Sequence, residues 1–100
     1  MKVQTQGETV SITDLQELGS ANANLFREQA RAAMNDTYRC IDVDLSETTF
    51  VDSCGLGALL SLQKTCVNRN GAVRLLNPTP PVQQILELTR MHRVFEIVKC

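Results

Sequence analysis

Six consecutive residues hold the side chains with the greatest chemical potential in this chain. Asp52, Ser53, Cys54, Gly55, Leu56 and Gly57 bring a carboxylate, a hydroxyl, a thiol and two glycines together. An apolar helical run, Leu56 to Val67, follows them. Short polar side chains ahead of such a run mark a helix start, because their oxygens accept from the unpaired N–H groups of the first turn. Gly55 and Gly57 would weaken a helix interior. In a first turn they instead leave backbone uncovered and open to a ligand or a partner. The strand-to-helix turn is therefore the candidate functional surface.

Four chemistries could use such a turn. A phosphate cradle of the G-x-G-x-x-G type lacks its third glycine here, since Ala58, Leu59 and Leu60 follow Gly57, and no lysine stands where a P-loop needs one. Nucleophilic catalysis by Ser53 or Cys54 would gain from a helix N-terminus. However, the nucleophile elbow needs a glycine where Val51 stands, and the only histidine, His92, is remote in sequence and reads as an exposed connector residue. Metal binding needs clustered ligands, whereas Cys40, Cys54, Cys66 and Cys100 form no C-x-x-C pair and none lies beside His92. Cys40 and Cys66 read as small buried apolar residues, and no disulfide framework is expected. The fourth possibility makes Ser53 an acceptor: a kinase could place about −1.5 to −2 charges on it, where the positive helix end tolerates them. On chemistry alone, Ser53 as a helix cap outweighs Ser53 as a phosphate acceptor.

The rest of the chain must position this turn. A length of 100 residues suggests one domain spanning residues 1–100. With 43% hydrophobic and 21% charged residues, disorder is excluded. A net charge of −1 with scattered Lys and Arg argues against nucleic-acid binding. No apolar run is long enough for a transmembrane helix, and Met1–Gly7 lacks a signal-peptide core, so a cytoplasmic location is expected. Alternation predicts strands over Met1–Gln6, Thr9–Thr13, Cys40–Leu45, Ala72–Leu76 and Val94–Val98. Three- and four-residue apolar spacing predicts a helix from a Ser20 cap to about Asn35, with Arg27, Glu28 and Arg31 solvated. A second helix is expected over Leu56–Arg69, ended by Asn70-Gly71. A third starts within Asn77–Pro81 and is lined by Val82, Ile85, Leu86 and Thr89. Asp14–Gly19 is a connection without a defined form, Asn35-Asp36 is a turn, and Gln63 interrupts the apolar stripe of the second helix without an evident reason. Asp42 and Asp44 need an account on a strand otherwise suited to burial: either their ends reach the functional turn or that sheet face is partly open. The order β-β-α-β-α-β-α-β favours an α/β fold with a mixed, largely parallel sheet of about four to five strands.

Asp44-Leu45-Ser46, Phe50-Val51, Asp52-Ser53-Cys54-Gly55-Leu56-Gly57 and Ala58-Leu59-Leu60, together with Leu76–Thr89 and Phe95-Glu96-Ile97, resemble the STAS domain family over nearly the whole chain. The resemblance is to small anti-sigma factor antagonists of bacterial partner-switching pathways. It implies Ser53 as phospho-acceptor and a non-enzymatic switch without a cofactor of its own. The implied partners are an anti-sigma factor that is also a serine kinase, whose ATP is its own, and a PP2C-type phosphatase. The unphosphorylated form would sequester the kinase. A monomer is expected, with no direct nucleic-acid contact and no membrane insertion. The implied role of Asp52 is to shape the turn, and Gly55 and Gly57 would allow a partner to approach closely. The expected binding face comprises Asp52, Ser53, Cys54, Gly55, Leu56, Gly57, Ser61 and Lys64, with Asn68 beyond. In the loop before the first long helix many members carry Gly and Asp where Gln16 and Gly19 stand here, and Asp42 replaces a usual apolar residue. An alternative is a STAS module regulating another assembly, such as a lipid-transport ATPase, a stress-signalling complex or another phosphatase-controlled pathway.

Overall fold

A computed structural model describes residues 1–35 and 37–99, so Asp36 of the expected Asn35-Asp36 turn and the fourth cysteine, Cys100, lie outside the described residues. Strands β1 (Lys2–Gln6), β2 (Thr9–Thr13), β4 (Cys40–Asp44), β6 (Val73–Leu76) and β7 (Glu96–Val98) form a five-stranded sheet in the order β1-β2-β4-β6-β7. β1 pairs antiparallel to β2, and the other pairings are parallel. Helices α1 (Ala23–Ala33), α2 (Ser53–Val67) and α3 (Pro80–Leu88) connect successive parallel strands. Two further strands, β3 (Glu17–Leu18) and β5 (Phe50–Val51), pair parallel as a separate ribbon.

Strand order explains which side of the sheet is covered. The parallel strands lie in sequence order, and parallel crossovers share one hand. All three helices therefore fall on one face. Val10, Ile12, Ile41, Val43, Val73 and Leu75 point to that face and are fully buried against Phe26, Leu59, Leu62 and Leu86. Each such side chain contributes about 1.5–3 kcal/mol on burial.

The other face carries no helix, which accounts for the aspartates of β4. Gln4, Ser11, Asp42, Arg74 and Glu96 stand side by side across the five strands. Arg74 Nε and Nη2 donate to the two carboxylate oxygens of Asp42 at 2.7 and 2.6 Å. Paired guanidinium and carboxylate forks of this kind are stronger than neutral hydrogen bonds. The hydrogen bond to Asp42, then its charge, raises the Arg74 pKa. Asp44 accepts from Ser46 N–H at 3.0 Å, turning the chain after the strand.

Several boundaries differ from expectation for identifiable reasons. α1 begins at Ala23 rather than after a Ser20 cap, because Gly19–Asn22 forms a turn and the Ser20 N–H is drawn to Asp52. α2 begins at Ser53, and its cap is Asp52. After α2, Asn70 rather than Gly71 adopts the left-handed conformation, with φ 62°. Gly71 is required for space, since a Cβ there would lie 1.9 Å from the Arg39 carbonyl oxygen. The last strand starts only at Glu96, because a 3-10 turn occupies Met91–Arg93. Gln63 stands within the apolar stripe because it clamps two backbones. Its amide donates to Val94 O at 3.0 Å and accepts from Val73 N–H at 2.7 Å.

Candidate functional site

The turn before α2 is built by the short β3–β5 ribbon. Leu18 pairs with Val51 and both are buried, while Glu17 pairs with Phe50 on the outer side. Buried Thr48 supports the ribbon from below: its hydroxyl donates to Leu15 O, and its carbonyl accepts from the Thr79 hydroxyl. Two-residue strands are too short for any alternation signal. The connection over Asp14–Gly19 and the step at Phe50-Val51 accordingly gave no sign of pairing in the sequence.

Asp52 fastens the site. Its Oδ1 accepts from Gly55 N–H at 3.0 Å, capping α2. Its Oδ2 accepts from Ser20 N–H at 3.0 Å, tying α2 to the loop that enters α1. Its own N–H donates to Leu18 O at 3.3 Å. The Gly55 N–H first, and the Ser20 N–H second, hold the Asp52 carboxyl below its usual pKa. These donors favour the charged form. On the α1 side, Asn22 accepts from Gly19 N–H at 2.9 Å and donates to Glu17 O at 2.8 Å. Asn22 was not singled out in the sequence, where one Asn before a helix is unremarkable.

The expected binding residues separate into an outer and an inner set. Ser53, Cys54, Gly57 and Lys64 are exposed, as is Asn68. Gly55 and Leu56, also expected on the binding face, are buried. A Cβ on Gly55 would stand 2.0 Å from Leu18 O, so a glycine is required there for the close approach of the protein's own β3 strand. A Cβ on Gly57 meets nothing within 4 Å. Ser61 is half-buried and its hydroxyl accepts from Arg31, so Arg31 bridges α1 to α2 instead of lying free in solvent. Arg27 donates to Asn24 Oδ1 at 2.8 Å. Arg27, Asn24, Ser20, Cys54 and Gly57 line a shallow cleft of about 300 Å³ between the helix starts.

Ser53 occupies the first position of α2, one residue after the cap. Its hydroxyl is exposed and has no hydrogen-bond partner among the described residues, nor has the Cys54 thiol. His92 is half-buried rather than exposed, and its Nδ1 lies 3.3 Å from Leu86 O near the end of α3. Cys66 is fully buried, and burial pushes its thiol up to about 11. Cys40 is only half-buried, on the uncovered side of the sheet. Among the described residues, no group of three or more His, Cys, Asp or Glu could hold a metal ion. No described helix is long and apolar enough to cross a membrane.

A capped helix start, presented by a short ribbon beside a one-sided α/β sheet, also defines the class to which the chain matches. The STAS domain family matches residues 1–99, and the chain belongs to that family. Among curated relatives, a candidate anti-sigma factor antagonist of Thermotoga maritima is 29% identical over 91 residues, covering 90% of this chain and 80% of the relative. A crystal structure of a candidate anti-sigma factor antagonist from Thermotoga maritima superposes with a TM-score of 0.91 at 26% identity, covering 99% of this chain and 86% of that one. The anti-sigma factor antagonist SpoIIAA in its unphosphorylated form has the same fold, with a TM-score of 0.86 at 22% identity over 99% of this chain and 86% of that chain.

Proposed function

We propose that this chain is an anti-sigma factor antagonist working as a phosphorylation-controlled protein-binding switch. With Ser53 unmodified, it sequesters an anti-sigma factor that is also a serine kinase. Phosphate on Ser53 ends the binding, and a PP2C-type phosphatase restores it. The chain performs no catalysis, and the switch operates in the cytoplasm. The similarity to the Thermotoga antagonist supports the class of partner.

One observation carries the choice of residue: capping and acceptance are divided between neighbours. Asp52 satisfies the helix start, and the Ser53 hydroxyl is exposed, with no hydrogen bond to lose among the described residues. A phosphate there meets the positive end of α2, which tolerates it locally. It also adds about −1.5 to −2 charges beside the Asp52 carboxylate. Docking is then opposed by charge and bulk, while the fold is unchanged. Ser53, Cys54, Gly57 and Lys64 supply the contact surface, and Asp52 holds it in shape.

The test is incubation with the cognate serine kinase and ATP, read by intact mass and peptide mapping. A single phosphate on Ser53, absent from Ser53→Ala, is expected. Ser53→Asp should retain the wild-type melting temperature and lose kinase binding. Phosphate on another residue, or full binding by Ser53→Asp, refutes the switch.

A further inference from the structure

The geometry points to Phe50 as a preformed aromatic anchor of the Ser53 surface, seated in an apolar slot that the partner protein rims with Lys or Arg. It rests on Ser53 being the regulated residue, and adds what the partner must look like. Phe50 is 51% exposed although it belongs to a strand whose next residue, Val51, is 2% exposed. Single exposed apolar residues are normal on a protein surface. Leu25, Val67, Leu88 and Val94 are exposed elsewhere and fit that description.

Phe50 differs in how it is held. A Cβ on Gly19 would stand 2.9 Å from Phe50 Cε2 and 2.8 Å from Asp52 Oδ2. The ring therefore lies over the Gly19 backbone, beside the carboxylate that caps α2. Its position is set by the same loop that sets Ser53, three residues on. A large ring already held in place loses little freedom on docking, which is why aromatic anchors contribute strongly to interfaces.

The charges around the ring identify the complementary surface. Glu17 stands directly opposite Phe50 across the ribbon and is exposed. Glu47 is exposed and lines the same shallow hollow as Glu17. Neither has an ion-pair partner among the described residues, whereas nearby Asp14 faces Lys2 at 3.5 Å. An apolar ring with two uncompensated carboxylates on one side and Asp52 on the other calls for an apolar slot with a cationic rim. Electrostatic matching of this kind governs specificity and association rate more than final affinity.

Binding of the purified serine kinase that phosphorylates Ser53 tests this by titration calorimetry and stopped flow. Phe50→Ala is expected to bind at least about 30-fold more weakly, the loss typical of a central aromatic, with an unchanged melting temperature. Phe50→Leu keeps apolar bulk and guards against a folding defect; it should fall between Phe50→Ala and the wild type. Glu17→Lys with Glu47→Lys should slow association several-fold and flatten its salt dependence. Phe50→Ala binding within twofold of the wild type overturns the anchor, and unchanged association by the double lysine variant overturns the cationic rim. A wild-type chain that binds no serine kinase refutes the switch and the anchor together. Binding that Phe50→Ala abolishes and Ser53→Asp leaves intact refutes the switch alone.

Discussion

Two glycines in the same turn of α2 should respond to alanine in opposite directions. Propensity alone favours alanine over glycine in a helix by about 1 kcal/mol. At Gly57 nothing opposes that gain, because the added Cβ meets no atom within 4 Å. Gly57→Ala should therefore raise the melting temperature by about 5 °C for a domain of this size. At Gly55 the added Cβ would stand 2.0 Å from Leu18 O and 2.8 Å from Leu18 C. A comfortable contact is about 3.5 Å, so α2 and β3 must part by about 1.5 Å. Such overpacking costs about 1–3 kcal/mol. Parting also removes the Asp52 N–H to Leu18 O bond, already 3.3 Å long, at about 1 kcal/mol. After the propensity gain, Gly55→Ala is expected to be destabilised by about 2 kcal/mol, a fall of about 10 °C. Thermal and urea unfolding at neutral pH, with the urea slope checked for constancy, measure both variants. If Gly55→Ala melts at or above the wild type, the Leu18 carbonyl does not control that position and the reasoning fails.

Asp52 should make the fold acid-sensitive. Its folded pKa is lowered by the Gly55 and Ser20 N–H groups, so its contribution is complete above the unfolded value of about 3.9 and is lost as pH falls through the folded value. Asp52→Asn cannot titrate, so its deficit in melting temperature should shrink between about pH 5 and pH 2; a constant deficit would count against the capping carboxylate. On the uncovered sheet face, Arg74→Ala strands the Asp42 side chain, which is 12% exposed. That variant should lose about 2 kcal/mol, less than the 3–5 typical of full burial because the Arg74 side chain is 39% exposed and water reaches the pair. Asp42→Ala leaves an arginine that can rehydrate and should lose about half as much; urea unfolding showing the reverse order would refute the argument.

Long periodic segments make the architecture legible in the sequence. The Ala23, Phe26, Ala30, Ala33 and Met34 spacing marks one face of α1, buried at every position but the half-buried Ala33, and Val10 with Ile12 marks that of β2. Alternation of Ile41 and Val43 with Asp42 and Asp44 left two accounts open, ends that reach the functional turn or a partly open sheet face, and the strand order decides for the open face. The turn at Asp52–Gly57 was visible because capping groups and glycines are local signals. What escaped was set by distant chain segments. Leu18 O decides Gly55, Arg39 O decides Gly71, and Val73 with Val94 decides Gln63. Arg31 looked solvated until α2 supplied Ser61. None of these contacts leaves a trace in the spacing of a single sequence.

The separation of Asp52 from Ser53 has a consequence for how variation in this chain will be interpreted. A stability-based scan of substitutions would rank Asp52 and Gly55 as intolerant, since they tie α2 to β3 and to the loop before α1. The same scan would score Ser53 as silent, because its side chain has no hydrogen bond among the described residues. Abundance and solubility screens inherit the same blindness. Under the proposed switch, variants at Ser53 would pass as benign in stability assays of the isolated protein and fail only where a second protein must recognise it.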